Sequence, residues 1–384
     1  MASIKQLGER KFKITVSNGY RPDGGKICRA KTIAVPPKVS RRGIDQYVAH
    51  AAEELERQIK HGYSEDGETA FETYAENWLR RQTKYAPGTL ASYRRMLKVV
   101  YPFIGGIRLN ALRPMALEIM LAELRKRVYR GKPVQEATVQ KYLTVVSSVL
   151  SDAKRNEIIQ KNPARMIDLP DTERRMQFIP EPEQVRELVK ALMNEPCHYA
   201  VFYILAIYTG CRRGELCALK WNDIIIDEER QIIIINRSRS SIPGRGIIEG
   251  KTKNGRTRII AVDEQMTWLL ISYCVEKVRQ ASCRGYEMSP YLFTNEKGQL
   301  IHPDTFTKHL RKIYDRLGFP KEYHLHTLRH YFVTTLLHGG VDKQTVAELA
   351  GHGDTSFLER TYCHPIMDKK YMAAEIMTSN LLVS

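Results

Sequence analysis

The spacing of apolar positions changes period several times along the chain, and each change predicts an element. Residues 11–17 (KFKITVS) alternate polar with apolar, the pattern of a half-buried strand. A turn cluster, Asn18-Gly19 and then Pro22-Asp23-Gly24-Gly25, leads to a second predicted strand over residues 27–35. From residue 44 to 60 the period becomes helical, with Ile44, Tyr47, Val48, Ala51, Leu55 and Ile59 on one face. These pieces predict a small sheet packed on one helix. Residues 61–68 (HGYSEDGE) are polar and glycine-containing, a plausible linker. Helical patterns then run over 71–82, 89–100, 114–128 and 138–156, with Thr89 placed to cap the second. No strand-like alternation interrupts them, which predicts a separate all-helical domain. Asn162-Pro163 and Leu169-Pro170-Asp171 punctuate the chain before the last region. That region is mainly helical but carries a β element between residues 223 and 262. Its marks are the β-branched run 232–235, a turn at 242–244, and Asn254-Gly255, a strong hairpin signal. The expected organisation is three domains, 1–65, 66–170 and 171–384, in a mainly α protein with small β elements. No repeat or low-complexity segment is evident.

Charge narrows the class of partner. The 384 residues include 43% hydrophobic ones, enough for substantial cores, and carry a formal charge of +17. Such a surplus favours a polyanion, because each Lys or Arg docked on a phosphate releases condensed counterions. The first 44 residues hold eleven Lys or Arg against two acids, Glu9 and Asp23. No run of about 18 apolar residues is available to span a membrane, and the N-terminal residues lack the apolar stretch of a secretion signal. Nucleic acid is therefore preferred over a membrane. Strand-borne Lys11, Lys13, Arg29 and Lys31 are candidate groove contacts, with a merely solvated basic sheet as the bland alternative. Arg94, Arg95 and Lys98, and the cluster Arg125-Lys126-Arg127, give the helical region basic faces, though such charges are commonly just solvated. Seven scattered cysteines without a C-x-x-C pair argue against a disulfide framework or a structural zinc, and fit a reducing cytoplasm.

Four stretches of the last region carry chemistry. Residues 209–219 read TGCRRGELCAL; in a helix Arg212 and Glu215, three apart, would share a face, so that the carboxylate holds the guanidinium. Residues 326–330 read HTLRH, where the same spacing pairs His326 with Arg329. A bidentate guanidinium beside an imidazole suits a phosphodiester, supplying charge neutralisation and a proton-transfer group. The turn Gly351-His352-Gly353-Asp354 exposes a histidine, with Asp354 placed to cap a short helix, and Tyr362 follows ten residues after His352. The segment GKTKNGRTRIIAV, residues 250–262, puts Lys251 and Lys253 two apart before the Asn-Gly turn, on one face of a strand. Each stretch alone is weak: R-x-x-E pairs are common on solvated helices, and a lone Tyr among 20 is usually structural.

Together, T-G-x-R-x-x-E-L at 209–216, K-T-x-x-G at 251–255, H-x-L-R-H at 326–330, and A-G-H at 350–352 followed by Tyr362 resemble the catalytic domain of tyrosine recombinases, the integrases of phages and conjugative transposons. The helical region, with TLASYRRMLKV, is similar to that family's core-binding domain, and the N-terminal segment to its three-stranded arm-binding domain. The resemblance implies that Arg212 and Arg329 clamp a scissile phosphate, with His326 and His352 bonding its oxygens or moving protons. Lys251 would protonate the departing 5′-oxygen, Tyr362 would attack phosphorus, and Glu215 would steady the site. It implies strand exchange through a 3′-phosphotyrosyl intermediate and a Holliday junction, integrating or excising a mobile element, without ATP, metal or other cofactor. It further implies a homotetramer on DNA attachment sites in a bacterial cytoplasm or nucleoid, its apolar segment 371–383 docked on a neighbouring protomer.

Some details depart from the family pattern. One extra residue separates the turn glycine from Arg258, so Lys253 competes with Lys251 as the acid. Ala350 stands where many relatives have leucine, and His324 has no assigned role beyond solvent exposure. Rival readings are a metal site drawn from His324, His326, His330, His352, Cys363 and His364, a non-catalytic DNA-binding protein, and a type IB topoisomerase. The first lacks metal-ligand spacing. The second does not account for the matching spacings, and the third does not account for an arm-like basic domain. The attachment sequences, the direction of recombination, and any need for an excisionase or a host DNA-bending protein are not legible.

Overall fold

The structure, a computed structural model, describes residues 2–20, 26–62, 65–129, 131–171 and 178–351. They fall into two compact units divided between residues 174 and 175, each mostly helical with small β elements.

The first unit begins with three antiparallel strands, β1 (Ser3–Gly8), β2 (Lys11–Tyr20) and β3 (Lys26–Ala34), in the order β1-β2-β3, followed by helix α1 (Ile44–Gly62). Period-two alternation in β2 buries Phe12, Ile14 and Val16, which pack with Val48 and Ala52 of α1. The register divides the four basic residues proposed as one DNA-facing set. Lys13 lies opposite Thr32 and Lys11 opposite Ala34, whereas Lys31 lies opposite Ile14 and Arg29 opposite Val16. Cross-strand partners share a face of the sheet, so Lys31 and Arg29 have register positions on the α1-covered face, and Lys11 and Lys13 on the other. Lys5 of β1, opposite Lys13, joins that outer face.

The helical remainder of this unit comprises α2 (Phe71–Arg81), α3 (Pro87–Ile104), α4 (Pro114–Lys126) and α5 (Glu136–Arg155), with a short ladder of β4 (Val128–Tyr129) and β5 (Lys132–Pro133). Helix α3 starts at Pro87 with Ala86 as its cap, not at Thr89, because proline at the first helical position is already set to helical φ and lacks only an unneeded N–H. Val128 belongs to the β4 ladder rather than to α4. The core gathers Phe71, Trp78, Leu97, Leu117, Leu143 and Val146 among others. Trp78, 2% exposed, stacks on Tyr93 with ring centroids 6.0 Å apart. Arg94 is drawn toward Glu76 at 3.7 Å, while Arg95 is exposed.

The second unit contains α6 (Pro182–Leu192), α7 (Cys197–Thr209), α8 (Arg213–Leu216), β6 (Ile224–Ile226), β7 (Gln231–Ile235), β8 (Arg237–Ile242), β9 (Gly246–Lys251), β10 (Arg258–Ala261), α9 (Glu264–Arg284), α10 (Pro303–Arg316), α11 (Leu325–His338) and α12 (Lys343–Ala350). Its core joins Phe202 and Tyr203 of α7 to Phe306 of α10, Leu328 of α11 and Ile233, Ile235 and Ile260 of the sheet. Phe202 and Phe306 stack 3.7 Å apart, and the Tyr203 hydroxyl donates to the Phe306 carbonyl at 2.8 Å. Strands β10, β7 and β6 form one sheet in that order, and β8 pairs with β9 in another. The turn at 242–244 does join β8 to β9. The Asn254-Gly255 hairpin is corrected: the turn exists, with the Gly255 N–H bonded to Thr252 O at 2.9 Å, but the flanking strands β9 and β10 belong to different sheets. Lys251 ends β9 and Lys253 sits in the turn, so the two do not share a strand face.

Replacing Trp78 by alanine removes the largest buried side chain of the helical core. The expected loss is about 3–5 kcal/mol from the first unit's stability, read as an earlier denaturant transition; a shift below about 1 kcal/mol would contradict the packing described.

Candidate active site

Helix α7 ends at Gly210, whose φ of 58° is the left-handed conformation that terminates helices. A Cβ there would lie 2.3 Å from the Phe332 ring of α11, so glycine is required for close approach as well as for backbone shape. The Gly210 carbonyl accepts from Arg329 Nη1 at 2.8 Å. The end of α7 is thereby pinned to the first turns of α11, and Arg329 is only 2% exposed.

Arg212 follows at once. It is not inside a helix with Glu215 but caps the short α8 in extended backbone, φ −70° and ψ 149°. Glu215, at the third helical position, reaches back to accept the Arg212 N–H at 2.9 Å with Oε2 and Arg212 Nη1 at 2.9 Å with Oε1. The other guanidinium end, Nη2, donates to the Gly351 carbonyl at 2.9 Å. Gly351 closes α12 with φ 67°, immediately before His352.

Glu215 is 1% exposed, a buried carboxylate that must be paired. Its second partner is Arg258 of β10, whose Nη2 lies 2.7 Å from Glu215 Oε2. Arg258 also donates from Nε to the Leu349 carbonyl at 2.8 Å and from Nη2 to Cys211 Sγ at 3.1 Å. Burial alone would raise the Glu215 carboxyl, but the hydrogen bond and charge of Arg258, with Arg212, outweigh it and hold the group below its ordinary value. Arg258 is a site residue that spacing along the chain does not reveal: it stands beside the lysine turn, and nothing local to it signals a carboxylate 43 positions away.

His326 and Arg329 lie one turn apart near the start of α11. The His326 ring meets that of His330 edge-on at 4.7 Å. Desolvation, and then the charges of Arg329, His324, Arg212 and Lys253, lower the His326 imidazole to about 4; the residue as a whole is exposed, so the four neighbouring charges are the firmer part of that cause. At neutral pH it is therefore uncharged, able to accept a proton or a hydrogen bond. Burial, followed by the charge of Arg212, lowers Arg329 to about 10, which leaves it cationic. His324 has a role besides exposure: it caps α11, its backbone N–H donating to Thr327 Oγ1 at 3.0 Å and its Nδ1 lying 2.7 Å from that oxygen.

The structure thus brings Arg212, Glu215, His326 and Arg329 together with Arg258, and places the Lys251 and Lys253 turn beside them through Asn254, whose Nδ2 donates to the Gly351 carbonyl at 3.0 Å. His352, Tyr362, the short helix expected after Asp354 and the segment 371–383 lie outside the described residues. Among the described residues no group of His, Cys, Asp or Glu is arranged to hold a metal ion, and no helix is long and apolar enough to cross a membrane.

Two outcomes follow from this geometry. Arg258→Met leaves Glu215 with one cation in a buried place, so the second unit should lose about 3–5 kcal/mol, measured by thermal or denaturant unfolding; a change below about 1 kcal/mol would refute the bridging role. For His326, the unfolded side chain takes up its proton near 6.5 and the folded one near 4. Stability should therefore fall as pH drops from about 6.5 toward 4 and change little from this group above that range. An NMR titration of His326 in the DNA-free protein with a midpoint near 6.5 would show that neither burial nor the surrounding cations act on it.

Comparisons with known proteins identify the family and the fold. The family model "Phage integrase family" matches residues 180–369, and "Phage integrase SAM-like domain" matches residues 69–169. The chain is 24% identical over 383 residues to the ICEBs1 integrase of Bacillus subtilis (strain 168), covering 97% of this chain and 98% of that one. It is 24% identical over 301 residues to a tyrosine recombinase of Thermosipho africanus (strain TCF52B), covering 78% and 96%. Its fold is similar to that of the Tn1549 transposon integrase solved in complex with transposon right end DNA (TM-score 0.69, 16% identity, 81% of this chain and 100% of that one). It is also similar to that of a lambda integrase tetramer bound to a Holliday junction (TM-score 0.56, 16% identity, 92% and 96%). The chain belongs to the phage integrase family and is a tyrosine recombinase, an enzyme of site-specific recombination.

Proposed function

We propose that this recombinase integrates and excises a mobile element by cutting and rejoining double-stranded DNA through a 3′-phosphotyrosine on Tyr362. The observation that carries the reading is the meeting of two guanidiniums, Arg212 and Arg329, beside a neutral imidazole, His326, at the junction of α7, α8 and α11. Two fixed cations are what a phosphodiester needs as negative charge grows on its non-bridging oxygens during in-line attack.

The Tyr362 oxygen forms a bond to phosphorus as the bond from phosphorus to the 5′-oxygen breaks. A tyrosine with an ordinary pKa of about 10 is a poor nucleophile at neutral pH. The surrounding cations favour its phenolate, and His326 or His352 takes its proton. A lysine of the β9–β10 turn donates a proton to the leaving 5′-oxygen. Lys251 heads the Lys-Thr pair, while Lys253 is near enough for its charge to act on His326. Reversal of these steps by another 5′-hydroxyl rejoins the strand, and the phosphotyrosine conserves the bond energy, so no ATP is needed. Two rounds on paired sites pass through a Holliday junction. Four protomers carry them out, a reading supported by the similarity to the lambda integrase tetramer. Lys5, Lys11 and Lys13 on the outer face of the small sheet are proposed contacts to a second class of DNA site, which suits an integrase that bridges separated sequences.

The test is a nicked DNA half-site carrying the element's end, incubated with the wild-type chain and with Tyr362→Phe in EDTA. A covalent, protease-sensitive adduct formed by the wild type and absent from the variant is the expected result. An adduct that persists in Tyr362→Phe would assign the nucleophile elsewhere. Binding without an adduct in either protein would favour a non-catalytic DNA-binding role.

A further inference from the structure

The turn between β9 and β10 and the first residue of β10 each hold the end of α12. Asn254 Nδ2 donates to the Gly351 carbonyl at 3.0 Å, and Arg258 Nε to the Leu349 carbonyl at 2.8 Å. The Gly351 oxygen also accepts from Arg212 Nη2 at 2.9 Å. One carbonyl therefore links the lysine-bearing turn to a phosphate-clamping guanidinium.

The turn is a closed unit. The Gly255 N–H bonds to Thr252 O at 2.9 Å, Thr252 Oγ1 donates to Arg256 O at 2.9 Å, and Thr252 is buried although its neighbours are exposed. The turn's one side-chain bond to Gly351 comes from Asn254, which is itself exposed, so packing does not account for where that amide points. Asn254 is the third of the four turn residues and does not need positive φ, since Gly255 supplies it (φ 68°). Aspartate, serine or alanine could close the same turn. What asparagine adds is a neutral N–H donor aimed at a carbonyl.

We propose that Asn254 is a positioning residue, holding the Lys251–Lys253 turn against the Arg212 and Gly351 edge of the site so that its lysine can protonate the departing 5′-oxygen. This rests on the reading above that the general acid is a lysine of this turn.

A substrate with sulfur in place of the bridging 5′-oxygen separates the roles, because a thiolate is a weak base and leaves without a proton. Single-turnover cleavage by the full chain would be measured on ordinary and 5′-thio half-sites for Asn254→Ala, Asn254→Asp, Lys251→Ala and Lys253→Ala. Asn254→Asp preserves the turn and removes the donor; Asn254→Ala does so without adding charge. The expected result is a loss of about 10- to 100-fold on the ordinary half-site in both Asn254 variants, at or below the lower end of the roughly 100- to 10,000-fold that general-acid catalysis supplies, because the acid is misplaced and not removed. On the 5′-thio half-site the loss should shrink to less than about threefold, and DNA affinity should be unchanged. One lysine variant should show the same rescue with a larger loss. If a lysine variant is rescued while the Asn254 variants lose activity equally on both substrates, or on neither, the positioning role is wrong and the lysine acid stands. If neither lysine variant is rescued, the acid has been misassigned and the proposal falls with it.

Discussion

A buried carboxylate organises the second unit. Glu215 is enclosed at 1% exposure, and a charge in that position is tolerated only when compensated by well-placed partners. It has two guanidiniums and a backbone N–H. Those partners come from different elements: Arg212 caps α8, and Arg258 begins β10. Satisfying one carboxylate therefore joins the end of α7, the start of α8 and the sheet. The remaining donors of the same two arginines then reach the last carbonyls of α12, at Leu349 and Gly351. Helix C-termini leave such carbonyls without intrahelical partners, and cationic donors satisfy them well.

The same arrangement explains why Gly351 has little room for a side chain. A Cβ there would meet Arg258 Nη1 at 2.8 Å and Arg212 Nη1 at 3.3 Å, in a backbone conformation of φ 67°. The glycine lets two guanidiniums lie against the main chain just ahead of His352. Gly210 plays the matching part on the other side, where α7 ends against Phe332 and its carbonyl holds Arg329. Two left-handed glycines thus each hold one of the arginines proposed to grip one phosphate, the Gly351 carbonyl accepting from Arg212 and the Gly210 carbonyl from Arg329.

Gathering cations has an electrostatic cost that an anionic substrate can relieve. Arg329 feels Arg212 and Arg258, and His326 feels Arg329, Arg212 and Lys253. Burial first, and then these charges, lower the imidazole to about 4, so that it gives up its proton, while the guanidinium, lowered only to about 10, keeps its charge. A phosphodiester entering such a site neutralises repulsion already present, so its binding and the growth of charge on it are both favoured.

Spacing along the chain was sufficient to determine what happens within one element. The alternation of residues 11–17 and the helical period of the first unit's helices follow from which positions must leave water, a local property of strand or helix geometry. Arg212 with Glu215, and His326 with Arg329, could be paired on paper because three residues span one turn. Even so, the first pair meets across a helix cap rather than within a helix. Helix α7 escaped this logic, since it is buried on several sides and its apolar run has no period to read. What joins distant elements was decided only by tertiary structure. Ladder pairing put β9 and β10 in different sheets on either side of an Asn-Gly turn, and antiparallel register split Lys11 and Lys13 from Arg29 and Lys31. Arg258 became part of the site because a buried charge 43 residues away needed a partner, and Arg212 reached a carbonyl 139 residues away. Local periodicity determines which face of an element is apolar; the compensation of buried charge and carbonyls depends on what the folded chain brings alongside.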